Sequence, residues 1–115
     1  MISVDTNILV RILTCDDDLQ MRKALALFEH NNIFITDTVI LETEWVLRYA
    51  YEFSGPDIND ALGRLLGLPQ VHVAHPRQIA DALIWHKHGL DFSDVLHLSA
   101  SNTQDSFFTF DRQFV

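Results

Sequence analysis

Four acidic side chains fall at positions that raise a chemical question. Asp5 interrupts the apolar opening ISVDTNILV, and Glu42 lies within TVILETEWVLR. Asp94 stands in DFSDVLHL, and Asp111 follows the aromatic string FFTF. A carboxylate taken out of water without a partner is costly. Two like charges about 4 Å apart repel by roughly 4 kcal/mol at an effective dielectric near 20. If these carboxylates converge, their repulsion calls for a cation. All-oxygen ligands suit a hard divalent ion, Mg2+ or Mn2+.

Whether they converge depends on the elements that carry them. Residues 2–5 read as a short strand and 6–13 as a helical start. Asp16, Asp17 and Asp18 open a second helix, in which Leu19, Ala24, Leu27 and Phe28 recur near a 3.6-residue period. A strand follows at 32–36, then helices at 38–51 and 57–67, the latter closed by Gly67 and Pro69. Residues 71–74 form a third strand, Pro76 opens a helix that stops near Gly89, 92–102 is a further helix, and 106–110 a fourth strand. Strands alternating with helices imply an α/β chain with a short, mainly parallel central sheet of four to five strands, flanked by helices on both faces. Ligands of such sheets collect beyond the carboxyl ends of the strands. Asp5 and Asp111 sit at such ends, and Glu42 and Asp94 can reach the same edge from their helices.

Each acid also has a plainer explanation. At 100° per residue, Glu42 shares a side of its helix with Val39, Trp45, Val46 and Tyr49, which predicts an inward-facing carboxylate. Glu44 falls on the opposite side with Arg48 four residues on, an ordinary surface ion pair. Asp91 or Ser93 caps the helix that contains Asp94, and taken alone Asp94 would be a favourable first-turn charge. Asp111 alone would be a turn residue, and Asp16 to Asp18 a solvated helix start. Convergence at one edge favours the metal-site reading over these separate ones.

Other chemistries are weaker. His86 and His88 are two residues apart and point to different sides of a helix, His72 and His75 straddle a strand end, and one cysteine leaves zinc short of ligands. His97 reads as a boundary histidine. Cys15 precedes three aspartates, whose charge raises rather than lowers a thiol pKa. A single cysteine forms no internal disulfide, as expected in the cytoplasm. At 115 residues, 48% apolar and 21% charged, the chain reads as one globular domain with a core of its own. No apolar run is long enough to span a bilayer, and no secretory leader opens the chain. The net charge of −8 speaks against a nucleic-acid binder unless cations offset the acids, and it suits a basic protein partner.

Taken together, VDTNILVR, the first glutamate of TVILETEWVLR, LDFSDVLHLSA and FFTFDRQF resemble, in order and spacing, a PIN-domain ribonuclease of the VapC toxin type, over essentially the whole chain. The resemblance implies that Asp5, Glu42 and Asp94 form the acidic metal-binding core, with Asp111 as a more variable fourth acid. Thr6 and Asn7 would shape the pocket, and Asp91 would assist through water. It further implies an endoribonuclease hydrolysing RNA with Mg2+ or Mn2+, a homodimer, and an antitoxin whose C-terminal segment blocks the acidic groove. Arg11, Arg48, Lys87 and Arg112 are candidates for gripping phosphate, although each reads first as a surface charge. The chain stops four residues after Asp111, where relatives run on into a further strand, so its C-terminal end reads as truncated or lacking that strand.

Two alternatives remain open at this level. Mg-dependent phosphotransfer through an aspartate also gathers acids at parallel strand ends. Its phosphatase form needs a second Asp where Asn7 stands, and its receiver form needs a lysine beyond Lys87 that the sequence lacks. A PIN-like binding module that has lost catalysis would keep the same acids.

Overall fold

The computed structural model describes residues 1–15 and 17–101, with side chains through Leu96. Its elements follow the expected alternation: β1 (Ile2–Ser3), α1 (Thr6–Thr14), α2 (Asp18–His30), β2 (Ile33–Ile35), α3 (Asp37–Tyr49), α4 (Gly55–Leu66), β3 (Val71–Val73), α5 (Pro76–Lys87) and α6 (Phe92–Ser101). The three described strands form one parallel sheet in the order β1-β2-β3. The strand expected at 106–110 lies outside the described residues, as do Asp16, Asp111, Arg112 and the side chain of His97.

The sheet register sorts side chains by face. Ile2, Ile33 and Val71 are aligned, as are Ser3, Phe34 and His72. Ile33 and Ile35 are fully buried, whereas Ser3 and His72 are exposed and Phe34 is half-buried. Parallel pairing requires a crossover between strands, and each one here carries two helices. The core draws Leu9 from α1, Phe28 from α2, Ile40 and Leu47 from α3, Ile58 and Leu62 from α4, Ile79 from α5, and Phe92 and Val95 from α6.

Local chemistry sets the helix starts. Asp5 caps α1 by accepting from the Ile8 backbone N–H at 3.1 Å, and Asp17 caps α2 by accepting from Gln20 at 3.1 Å. Thr36 and Ser54 do the same for α3 and α4. Asp17 and Asp18 thus form a helix start, as the sequence suggests. Leu19 departs from expectation: Ala24 and Phe28 are buried, but Leu19 is 63% exposed, because it lies in the first turn, ahead of the part of α2 that packs. Gly89, with φ +96°, makes the reversal from α5 into α6 in a backbone region that side chains disfavour. That turn delivers Asp91 to the start of α6.

Candidate active site

The carboxyl end of β1 carries the first of the expected acids. Asp5 follows directly from Val4, and its Oδ1 is engaged with Ile8, so this residue is an exposed N-cap. Thr6, the next residue, donates from Oγ1 to Glu42 Oε2 at 2.9 Å. This bond draws the middle of α3 to the first turn of α1, beside Asp5. Each carboxylate uses one oxygen in these bonds, and the second oxygen of each is what a cation would take.

The structure corrects the orientation of α3. Glu42 is exposed, not enclosed in the apolar stripe, and Trp45 and Tyr49 are 56% and 60% exposed. The buried stripe is Ile40, Thr43, Glu44 and Leu47, at i, i+3, i+4 and i+7. Glu44 is therefore not an ordinary surface residue: it is 2% exposed. The sequence permits both phases because apolar residues surround most of this helix. Two features let the polar residues be the buried ones. Thr43 returns its hydroxyl to the Val39 carbonyl at 2.7 Å, and Glu44 meets Arg48.

Arg48 serves two carboxylates at once. Its Nη2 donates to Glu44 Oε1 at 3.1 Å, while its Nε lies 3.0 Å from Oε2 as an ion pair without hydrogen-bond geometry. Its Nη1 reaches Asp91 Oδ2 at 3.3 Å. Arg48 is thus neither an ordinary surface charge nor a cation held free for phosphate: it is committed to Glu44 and Asp91. The other oxygen of Asp91 accepts from Ser93 Oγ at 2.9 Å and from the backbone N–H of Asp94 at 3.2 Å. Asp91 is thereby the cap of α6, as expected. The spacing of Glu44 and Arg48 signalled their pairing, but nothing in the sequence indicated that the pair is enclosed or joined to Asp91.

The charges of this network are perturbed accordingly. Burial raises the Glu44 carboxyl above its ordinary value, more than Arg48 lowers it, and Asp91 raises it further. Burial would also raise Asp91. Its bonds from Ser93, the Asp94 N–H and Arg48 outweigh burial and leave it below the usual carboxylate range. His86 faces the same region, with Asn59 Nδ2 3.1 Å from its Nδ1 and Phe92 edge-on at 5.3 Å. Burial is the main reason it is held below the ordinary imidazole value, with Arg48 adding to this and Asp91 opposing it.

Asp94 is half-buried in the first turn of α6, which packs against α3. A groove of about 450 Å³ runs beside these elements, lined by Leu41, Glu42, Trp45, Val46 and Ser93 among others. Among the described residues, no three His, Cys, Asp or Glu side chains are gathered closely enough to hold a metal ion. Thr6 ties Glu42 to the residue next to Asp5, Asp94 stands in the first turn of α6, and Asp111 lies outside the described residues. The donor set fits a hard cation in kind, being carboxylate oxygen without thiolate or imidazole.

The PIN domain family matches residues 2–115, and the chain belongs to that family. The PIN domain is generally a nuclease fold, and its members usually bind Mg2+ or Mn2+ in the active site. A comparison with curated proteins finds no match. No helix among the described residues is long and apolar enough to cross a membrane.

Proposed function

We propose that this chain is a metal-dependent endoribonuclease, the toxin of a VapC-type toxin–antitoxin pair, acting as a single domain in the cytoplasm. The observation that carries this reading is the Thr6–Glu42 hydrogen bond at 2.9 Å. It ties an acid of α3 to the residue after Asp5, at the carboxyl end of a parallel strand in a member of a nuclease family. Asp5 and Asp94 would hold a Mg2+ or Mn2+ ion directly. Glu42 would hold the ion or orient the attacking water, and Asp111 would contribute through a water molecule. The bound ion supplies acidification of that water and charge stabilisation at phosphate.

The chain's own residues do the remaining work. The Asp5 cap fixes its carboxylate through the Ile8 N–H, and the bond from Thr6 restricts the Glu42 side chain. Attack is by water, so the reaction needs no protein nucleophile. The acidic surface attracts a basic segment of an antitoxin, which would lie across the site, and a second copy of the chain forms the dimer. The purified chain should cut single-stranded RNA with Mn2+ or Mg2+ and stop in chelator. Cutting that persists in chelator rules out this mechanism, and RNA left intact under every metal condition leaves a binding module instead.

A further inference from the structure

We infer that Arg48 is a positioning residue: by bridging buried Glu44 to Asp91, it locks the first turn of α6 onto α3 and so fixes where Asp94 stands. This rests on the reading of Asp94 as a metal ligand. The chain of contacts is continuous. Glu44 is anchored in the core stripe of α3 between Ile40 and Leu47 and is nearly inaccessible. The Arg48 guanidinium contacts both Glu44 oxygens and, with its remaining arm, Asp91 Oδ2. Asp91 Oδ1 then holds the Asp94 N–H directly. One carboxylate thus carries two duties on its two oxygens, a tie to α3 and a cap on α6.

The placement matters because the turn into α6 is set by few residues. Gly89 adopts a left-handed backbone, and Leu90 is 53% exposed, so neither packs the turn against the core. Phe92, Val95 and Leu96 bury α6 in the core, where it packs chiefly on α5. Its meeting with α3 is slighter, and the Arg48–Asp91 contact ties its first turn to that helix. A guanidinium can engage two carboxylates on different edges simultaneously, which an ammonium does with poorer geometry. Asp91 is one step removed from the proposed ligand Asp94 and Arg48 two, and partners one step removed affect metal affinity or activity by about 10–100-fold when lost.

Two variants separate this role from simple stability. Asp91→Asn keeps a good cap oxygen for the Asp94 N–H while ending the ion pair. The double variant Glu44→Leu with Arg48→Met removes the tie but leaves an apolar core and no buried unpaired charge, since Asp91 is exposed. Two quantities are measured on the full chain: amide hydrogen exchange of residues 92–96, and Mn2+ affinity by titration calorimetry alongside RNA cleavage. Both variants should retain parental melting behaviour within a few degrees. Both should exchange faster at the start of α6 and bind Mn2+ about tenfold more weakly. Arg48→Lys should recover part of the lost affinity. Unchanged exchange in both variants overturns the tie. Faster exchange with parental Mn2+ affinity and cleavage overturns the positioning role. If the parent itself binds no Mn2+, the metal-ligand reading fails, and the exchange data still decide whether Arg48 orders α6.

Discussion

Glu44 and Arg48 sit one helical turn apart on α3 and meet at 3.0 Å, with the glutamate side chain 3% exposed and the arginine 35%. The pair is therefore half enclosed: one member is wholly withdrawn from water and its counter-charge stands at the boundary. Removing one partner of a buried pair strands the other, whereas removing both can be nearly neutral.

That asymmetry sets the first expectation. Arg48→Met should destabilise by about 2–3 kcal/mol, below the full cost of breaking a buried pair because the guanidinium is partly solvated. The double change Glu44→Leu with Arg48→Met should recover most of that loss. Urea denaturation of the two variants and the parent measures both quantities. A double variant as unstable as the single one would mean that packing, not charge, dominates.

The same residues give the stability a pH signature with two opposite parts. The Glu44 carboxyl is raised in the fold, so its ionised form penalises the native state above its ordinary value of 4.5, and that penalty relaxes as pH falls through the raised value. Asp91 is depressed below 3.8, so it contributes stability above that value and loses it as pH falls further. Relative to Glu44→Gln, the parent should gain stability on acidification toward 4.5. Relative to Asp91→Asn, it should lose stability below 3.8. Denaturant unfolding across the acid range reads both differences.

The orientation of α3 makes its two glutamates separable by function. Glu42→Gln should reduce RNA cleavage by about two orders of magnitude while leaving the melting temperature nearly unchanged, because Glu42 is exposed. Thr6→Val, which removes only the bond to Glu42, should cost activity by about tenfold, through looser placement of a group that acts on the metal. A Thr6→Val protein with parental cleavage rates would show that this bond is incidental.

Asp5 combines a cap with the proposed ligand role, and substitutions can divide the two. Asn caps a helix as well as Asp, whereas Ala costs about 1 kcal/mol. In chelator, Asp5→Asn should melt with the parent and Asp5→Ala below it. With metal at a hundredfold its dissociation constant, the parent should gain about 2.7 kcal/mol, and Asp5→Asn much less. Equal gains in parent and Asp5→Asn would leave Asp5 as a cap alone.

The starts of α2 and α6 were legible because they are written in local chemistry: Asp17 and Asp91 are side chains whose preferred partner is a backbone N–H two or three residues on. Thr36 and Ser54 cap α3 and α4 in the same way, one and two residues ahead of the expected starts at 38 and 57. The phase of α3 was not legible in this way. In VILETEWVLRY, apolar residues occur on every side, and the aromatic pair Trp45 and Tyr49 outweighs Ile40 and Leu47 in a count of apolar size. The structure instead exposes the aromatics, whose rings lie 5.2 Å apart with Arg48 above Tyr49, and buries Thr43 and Glu44. The buried glutamate meets Arg48 on its own helix, and that guanidinium also reaches Asp91, 43 residues further along the chain; only the first of these contacts is a local pattern.

The sequential strand order also bears on how the chain assembles. Ile2 pairs with Ile33, and Ile33 with Val71, closing loops of 31 and 38 residues by subtraction of the paired positions. Closure entropy grows only with the logarithm of loop length, so the two loops differ by about 0.2 kcal/mol. Neither half is favoured by chain length, and β2 is the one strand both must find. Folding can thus begin from either flank and still pass through the same central strand. Trimming Ile33 or Ile35 should slow refolding, while equivalent changes in β1 or β3, where an alternative route remains, should mainly hasten unfolding.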